Sequence, residues 1–183
     1  MFYGMEGRRQ ATIALFNLAL QQPNPGTLLL FSDENSKWML DNSSFSQEWS
    51  TLLWQLILKG YKIKVIHKVS RDIDEMLDVI HQWLPFYTSG AVEPYYYPRL
   101  RDGVYKRTLS VVSGKAAVFA TSIGENMETT ANFMSTDKLT VDSFTNEFYS
   151  YLALCKPLIK IHPAKNIRLV LPELFSFEGR GGS

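Results

Sequence analysis

A chain of 183 residues, 45% hydrophobic and 13% aromatic, fits one domain with a real core and is too apolar to be a disordered segment. Its formal charge of +1 sets up no bulk field toward nucleic acid or membrane, so any anion must be held by a local patch. The one cysteine, Cys155, excludes an internal disulfide and a multi-thiolate metal site, and no stretch reaches the roughly 18 apolar residues of a membrane span.

From about Met5 to Gln22, Ile13, Phe16 and Leu20 recur on one helical face, with Leu15 and Leu18 beside it; the QQPNPG segment stops the helix. TLLLFSD, Thr27 to Asp33, is apolar on both faces and predicts a buried strand. In SQEWSTLLWQLILKG, Ser46 is placed to cap a helix whose stripe is Trp49, Leu52, Leu53, Leu56 and Ile57, and Gly60 to close it. Tyr61 to Val69 alternates as a strand through Ile63 and Val65. Ile73, Met76, Leu77, Ile80 and Leu84 then share a helical face that Pro85 and Gly90 should end.

Beyond Gly90 the chain breaks into short β-like segments, with Gly103 and Gly114 at the sharpest turns and residues 93–109 expected as a hairpin. A helix follows, turning Phe144, Phe148, Tyr151, Leu152 and Cys155 inward, and Asn166 to Leu171 predicts a last strand. This order predicts a single α/β domain over 2–175, with a mixed, mainly parallel sheet flanked by helices. Residues 176–183, ending GRGGS, read as a linker-like tail, and Met1 as the start of a piece cut from a longer chain.

Few residues carry recognisable chemistry. His67, His81 and His162 form neither HExxH nor an i, i+4 metal pair, and phosphate-loop, dinucleotide and GxSxG motifs are absent. His67 ends a predicted strand, where open α/β sheets place ligands, although a sheet-edge histidine would look the same. His81, His162 and Cys155 read as structural. Asp33 and Glu34 lie at the same strand edge, where Asp33 could meet a ligand or, more commonly, cap a turn or helix. Asp72, Asp74, Glu75 and Asp78 read as a solvated helix face. EPYYYPRLRDGVYKRTL is the most unusual segment, with four tyrosines and four Arg/Lys residues. That mixture suits an anion, a base or single-stranded nucleic acid; it also suits surface tyrosines snorkelling over a sheet.

TLLLFSD with the later LKGYKIKVIHKVSRDIDEML resembles the first βαβ unit of phospholipase D-like domains and of TrmB-type effector domains. FYGMEGRRQATI, LLLFSDE, WLPFYTSGAVEPYYYP and RDGVYKRTLSVV resemble the C-terminal half of clostridial regulators that carry an N-terminal Xre-type helix-turn-helix domain. That likeness runs from Phe2 to about Ile161. It implies a phospholipase D-like half-fold without the catalytic motif. In the enzymes HxKxxxxD supplies the nucleophile; here Tyr105 stands at the histidine, Arg107 at the lysine and Val112 near the aspartate. A phenol does not readily replace the imidazole of a phosphoenzyme.

The resemblance therefore implies a non-catalytic, cytoplasmic effector domain without cofactor or metal, self-associating as a homodimer. It would reach DNA only through a helix-turn-helix domain outside these residues. A small anion or partner is expected at the carboxyl ends of the strands, met by Asp33, His67, Tyr97, Arg101, Tyr105 and Arg107. Two rivals stand beside this reading. One is a divergent phosphodiesterase using His67 with Lys68 or Asp33 within hydrogen-bond reach of it; an imidazole, a lysine and an acid together in one cleft would overturn the reading of a retired enzyme. The other is a nucleic-acid binder using residues 93–109.

Overall fold

The computed structural model describes residues 1–99, 103–161 and 167–169. Strand β1 (Phe2–Tyr3) leads into α1 (Gly4–Gln21), β2 (Thr27–Ser32), the short α2 (Lys37–Leu40), α3 (Ser43–Lys59), β3 (Lys62–His67), α4 (Ile73–Tyr87) and β4 (Val92–Tyr96). There follow β5 (Tyr105–Val112), β6 (Ala116–Ile123), β7 (Ala131–Ser135), α5 (Lys138–Leu152), β8 (Lys156–Pro157), β9 (Ile159–Ile161) and β10 (Ile167–Leu169). Eight strands make one mixed sheet in the order β1-β7-β6-β5-β2-β3-β4-β8, and β9 pairs with β10 apart from it.

The sheet is mostly antiparallel, which corrects the expectation of a mainly parallel one. Among the described strands, β2–β3 and β3–β4 pair in parallel, while β1–β7, β7–β6, β6–β5, β5–β2 and β4–β8 run antiparallel. The cause is connection length. A parallel return needs a crossover of about a dozen residues or more, which α3 and α4 supply. Three residues around Gly114, with φ of 72°, join β5 to β6 and allow only a hairpin. The last predicted strand survives as β10, but it pairs with β9 and does not close the main sheet.

Residues 93–109 are not a hairpin either. β4 pairs with β3 and β5 with β2, and Tyr97, Arg99, Gly103 and Tyr105 lie beside Asp33 and His67 at the carboxyl ends of β2 and β3.

Helices α1, α3 and α4 cover one sheet face around Phe16, Leu30, Trp49, Leu53, Val65 and Trp83; α5 covers the other, with Phe148 and Val141 against Leu29, Ile66 and Leu109. Caps fix the helix ends. Asn42, not Ser46, caps α3 by accepting from Phe45 N at 3.0 Å, so the helix starts three residues before the expected cap. Gly60 closes it at φ 106°, a left-handed position that a side chain would strain. Asp72 accepts from Asp74 N and Glu75 N to start α4, so it belongs to the helix end and not to an idle acidic face.

α4 is rotated relative to the expected stripe. Met76, Ile80, Trp83, Phe86 and Tyr87 are buried, while Ile73 and Leu77 are 53% and 52% exposed and Leu84 is also exposed. Three aromatics in the second half of the helix bury more area than the aliphatics they displace, and they set the inward face. Pro85 lies inside the helix and does not end it. On α1 the inward face runs through Arg8, Ala11, Leu15 and Ala19, with Ile13, Leu18 and Leu20 on the flanks.

Candidate functional site

The carboxyl ends of β2 and β3 meet the start of β5 at one edge of the sheet, because β5 runs antiparallel to β2. A cleft of about 320 Å³ opens there, with Asp33, His67, Lys68, Arg71, Arg99 and Lys106 in its walls. Tyr97 and Tyr105 stand in the same walls, Tyr97 with its ring 5.5 Å from that of Tyr151 on α5. Of the six residues expected at the site, Asp33, His67, Tyr97 and Tyr105 are thus brought together. Arg101 lies outside the described residues.

Arg107 is directed elsewhere. Alternation along β5 sends it to the α5 face, where Glu147 accepts from Nε at 3.1 Å and from Nη2 at 2.8 and 2.9 Å. Its guanidinium also lies over the Phe144 ring at 5.5 Å. The next residue back, Lys106, takes the cleft position that sequence reasoning favoured for Arg107. Its side chain is 4% exposed and Nζ donates to Glu125 Oε1 at 2.7 Å. That hydrogen bond is the main cause holding the Glu125 carboxyl below its ordinary range.

Asp33 caps no helix. Its backbone N donates to Arg107 O at 2.8 Å and its Oδ2 accepts from Arg107 N at 3.0 Å, extending the β2–β5 ladder by one residue. The cleft therefore holds four cations, Lys68, Arg71, Arg99 and Lys106, with Asp33 as its acid and Glu125 bonded to Lys106. Among the described residues, Lys68, Arg71 and Arg99 form no ion pair.

His67 sits where the cleft meets the interior. It is 7% exposed, its Nε2 is engaged by the Tyr87 hydroxyl, and Trp83 packs edge-on at 5.3 Å. Burial pushes its pKa down to about 3, so the ring is neutral at physiological pH. Burial likewise pushes the Tyr87 hydroxyl up, keeping it protonated. An imidazole, a lysine and an acid do share one cleft, the arrangement that counts against a retired enzyme, while His67 is bonded to Tyr87 and not to Lys68 or Asp33 as the phosphodiesterase rival requires. The imidazole, however, is uncharged and one of its nitrogens is already occupied.

A second space lies behind His67, between the sheet and helices α1, α3 and α4. This chamber, about 110 Å³ measured at water centres, has Phe16, Leu30, Trp49, Val65 and Trp83 in its walls. Polar groups also reach it: Ser32, Glu34, Gln82, Thr108 and Ser110. Glu34 belongs to a buried network. The Ser122 hydroxyl donates to its Oε1, Arg8 Nη1 lies 3.5 Å away, and Arg8 Nε donates to Asn132 Oδ1 at 3.0 Å. Burial pulls the Arg8 guanidinium below its ordinary value, and the Glu34 charge opposes that pull. Sequence reasoning missed the chamber because Trp49 looked like plain core stripe and Gln82 and Trp83 drew no notice.

Cys155 donates from Sγ to Tyr151 O at 3.3 Å, and burial pushes its thiol up to about 11, as expected of an inert cysteine. His81 is exposed on α4, and His162 lies outside the described residues. Among the described residues, no group of three or more His, Cys, Asp or Glu side chains could hold a metal, and no helix is long and apolar enough to cross a membrane.

No protein-family model matches the chain, and no curated protein matches it either. Solved structures do. Polyphosphate kinase from Porphyromonas gingivalis superposes with a TM-score of 0.52 at 15% identity, over 92% of this chain and 28% of that one. The chain thus spans little more than a quarter of that protein, and the likeness is one of fold.

Proposed function

We propose that the chain is a ligand-sensing domain of a bacterial transcriptional regulator, and that the cleft at the strand ends binds a small anion without transforming it. The observation that carries this reading is the cleft itself: four cations at the carboxyl edge of two parallel strands, where α/β sheets bind ligands. The resemblance to clostridial Xre-type regulators supports the regulatory context, a cytoplasmic setting and DNA contact through a separate helix-turn-helix domain. The βαβαβ opening and the fold neighbour support a phospholipase D-like half-fold. Self-association would let an occupied cleft favour one dimer arrangement, and so one spacing of the attached DNA-binding heads.

The state of His67 supports binding without turnover. A nucleophile needs a free nitrogen lone pair, and a general acid needs a proton to give. With Nε2 engaged by Tyr87 and the ring uncharged at pH 7, His67 has one nitrogen occupied and no imidazolium proton to give. The phosphodiesterase reading stays as the second one, because Asp33, His67 and Lys106 line the same cleft.

One experiment separates them. Inorganic phosphate and pyrophosphate are titrated calorimetrically into wild type and Lys106→Met, and bis(4-nitrophenyl) phosphate is incubated with wild type and His67→Ala. The sensor reading expects saturable anion binding that weakens about tenfold in Lys106→Met, a loss of order 1.4 kcal/mol, with no turnover. Turnover abolished by His67→Ala would overturn it in favour of the enzyme.

A further inference from the structure

The cleft and the chamber share a wall. His67, Lys68 and Ser70 line both, so the imidazole stands between a cationic mouth and an aromatic interior. The two sides ask for different chemistry. The mouth presents Lys68, Arg71, Arg99 and Lys106 and suits a phosphate, phosphonate or carboxylate.

The chamber suits an uncharged ring. Its walls are a set of mutually braced aromatics: Trp49 meets Trp83 edge-on at 5.1 Å and lies 6.5 Å from Phe16, and Trp83 in turn meets His67. Two carboxylates reach it: Glu34, which has Arg8 and Ser122 as partners, and Glu75, which accepts from Ser70 Oγ at 2.6 Å beside Lys68 at the end nearest the mouth, so the aromatic end holds no unmet charge. The chamber, about 110 Å³ at water centres, is far larger than the roughly 10–15 Å³ that a single water needs, and has room for several waters or a ring in their place.

One donor there is unsatisfied. Gln82, on α4 in the chamber wall, buries Nε2 with no hydrogen-bond partner among the described residues. An orphaned buried amide carries an uncompensated desolvation cost, which an acceptor on a bound molecule would recover.

We propose that the physiological ligand is one amphipathic anion that bridges both spaces: an uncharged planar ring carrying a hydrogen-bond acceptor in the chamber, and an anionic group at the mouth. This inference rests on the cleft being the ligand site, and it adds the ligand's other half. Lys68 and Ser70 mark the neck between the halves, and Gln82 sets the preference for a ring carbonyl or ring nitrogen over plain hydrocarbon.

Three probes test it, read by quenching of tryptophan fluorescence and by calorimetry: inorganic phosphate for the head, 4-methylacetophenone for the ring, and 4-acetylphenylphosphonate for both. The joined probe should bind at least tenfold tighter than either part. Gln82→Leu should weaken the joined probe and the ketone and leave phosphate unchanged, while Lys106→Met should weaken the joined probe and phosphate and leave the ketone unchanged. Val79→Phe, which fills the chamber from α4, should reduce the joined probe to the affinity of phosphate. Melting curves for each variant confirm folding, and Gln82→Leu carries the test alone if Val79→Phe does not fold. Equal affinity for phosphate and the joined probe overturns the bridging ligand and leaves the anion cleft standing. Ketone binding without phosphate binding overturns the cleft and the bridge together, as does the absence of binding by all three.

Discussion

Lys106 and Arg107 are neighbours on β5, yet they live in opposite worlds. Lys106 faces the side covered by α1, α3 and α4, is 4% exposed, and reaches into a cleft. Arg107 faces α5, and its ion pair with Glu147 is open to solvent on both partners. The contrast extends across the sheet. The α5 side is packed by Leu29, Ile66, Leu109 and Phe148, and its ion pair stays in water. The other side buries Arg8, Glu34, Asn132 and His67 and keeps a chamber open beside them. A buried charge interacts strongly because little water screens it, so the same residue type does far more on one face than on the other. One face is packed through; the other keeps a cleft and a chamber.

The largest test of that difference is the Arg8–Glu34 pair. Removing one member of a buried pair strands its partner, at a cost of about 3–5 kcal/mol. Arg8→Met should therefore lower unfolding stability by that amount in urea titration, well outside the range of surface changes. The double variant Arg8→Met, Glu34→Leu should recover much of the loss, since no charge is then left unpaired. A cost below about 1 kcal/mol for Arg8→Met would mean that the two faces are electrostatically alike.

His67 gives the next effect, and its sign follows from the direction of its shift. The folded ring titrates near 3, whereas an unfolded histidine titrates near 6.5. Between those values the unfolded chain holds the extra proton, so acid favours unfolding. The contribution of His67 is complete above about pH 6.5. It falls by roughly 1.4 kcal/mol per pH unit below that and is exhausted near pH 3. Denaturation curves at pH 7, 6 and 5 should show this slope in wild type and a shallower one in His67→Phe. An unchanged slope in the variant would place the pH dependence elsewhere.

Much of this face was legible before the coordinates. The strand TLLLFSD, the helix after it, and the meeting of Asp33 and His67 at the strand ends follow from periodicity and the βα order. What stayed hidden depends on contacts far apart in sequence. Nothing local tells α4 to turn Trp83 and Tyr87 inward over Ile73 and Leu77; the Tyr87–His67 bond, twenty residues apart, becomes visible only in the fold. The Arg8–Glu34 network is the same kind of case, since Arg8 reads as a solvated charge until Ser122 and Asn132 arrive from β6 and β7. The choice of Arg107 over Lys106 was a different error. Strict alternation already required the two to face apart, and matching a motif by position settled on the wrong one.

The smallest effect belongs to the α5 face and completes the contrast. The Arg107–Glu147 pair is bidentate, with Nε donating to Oε2 and Nη2 to Oε1, and this is the best geometry a surface pair can offer. Even so, solvent screening and the entropy of two long side chains limit an exposed pair to about 0.2–1 kcal/mol. A double-mutant cycle of Arg107→Ala and Glu147→Ala should return a coupling in that range, and 0.5 M salt should shrink it further. Neither substitution should change phosphate affinity, because Arg107 does not line the cleft. The comparison with Lys106→Met is then internal to one dipeptide. Two cations of equal charge, removed one at a time, should leave binding intact in the first case and cut it tenfold in the second. If Arg107→Ala weakened binding as much as Lys106→Met, strand alternation would not be what selects the cation, and the anion would have to reach across to the α5 side.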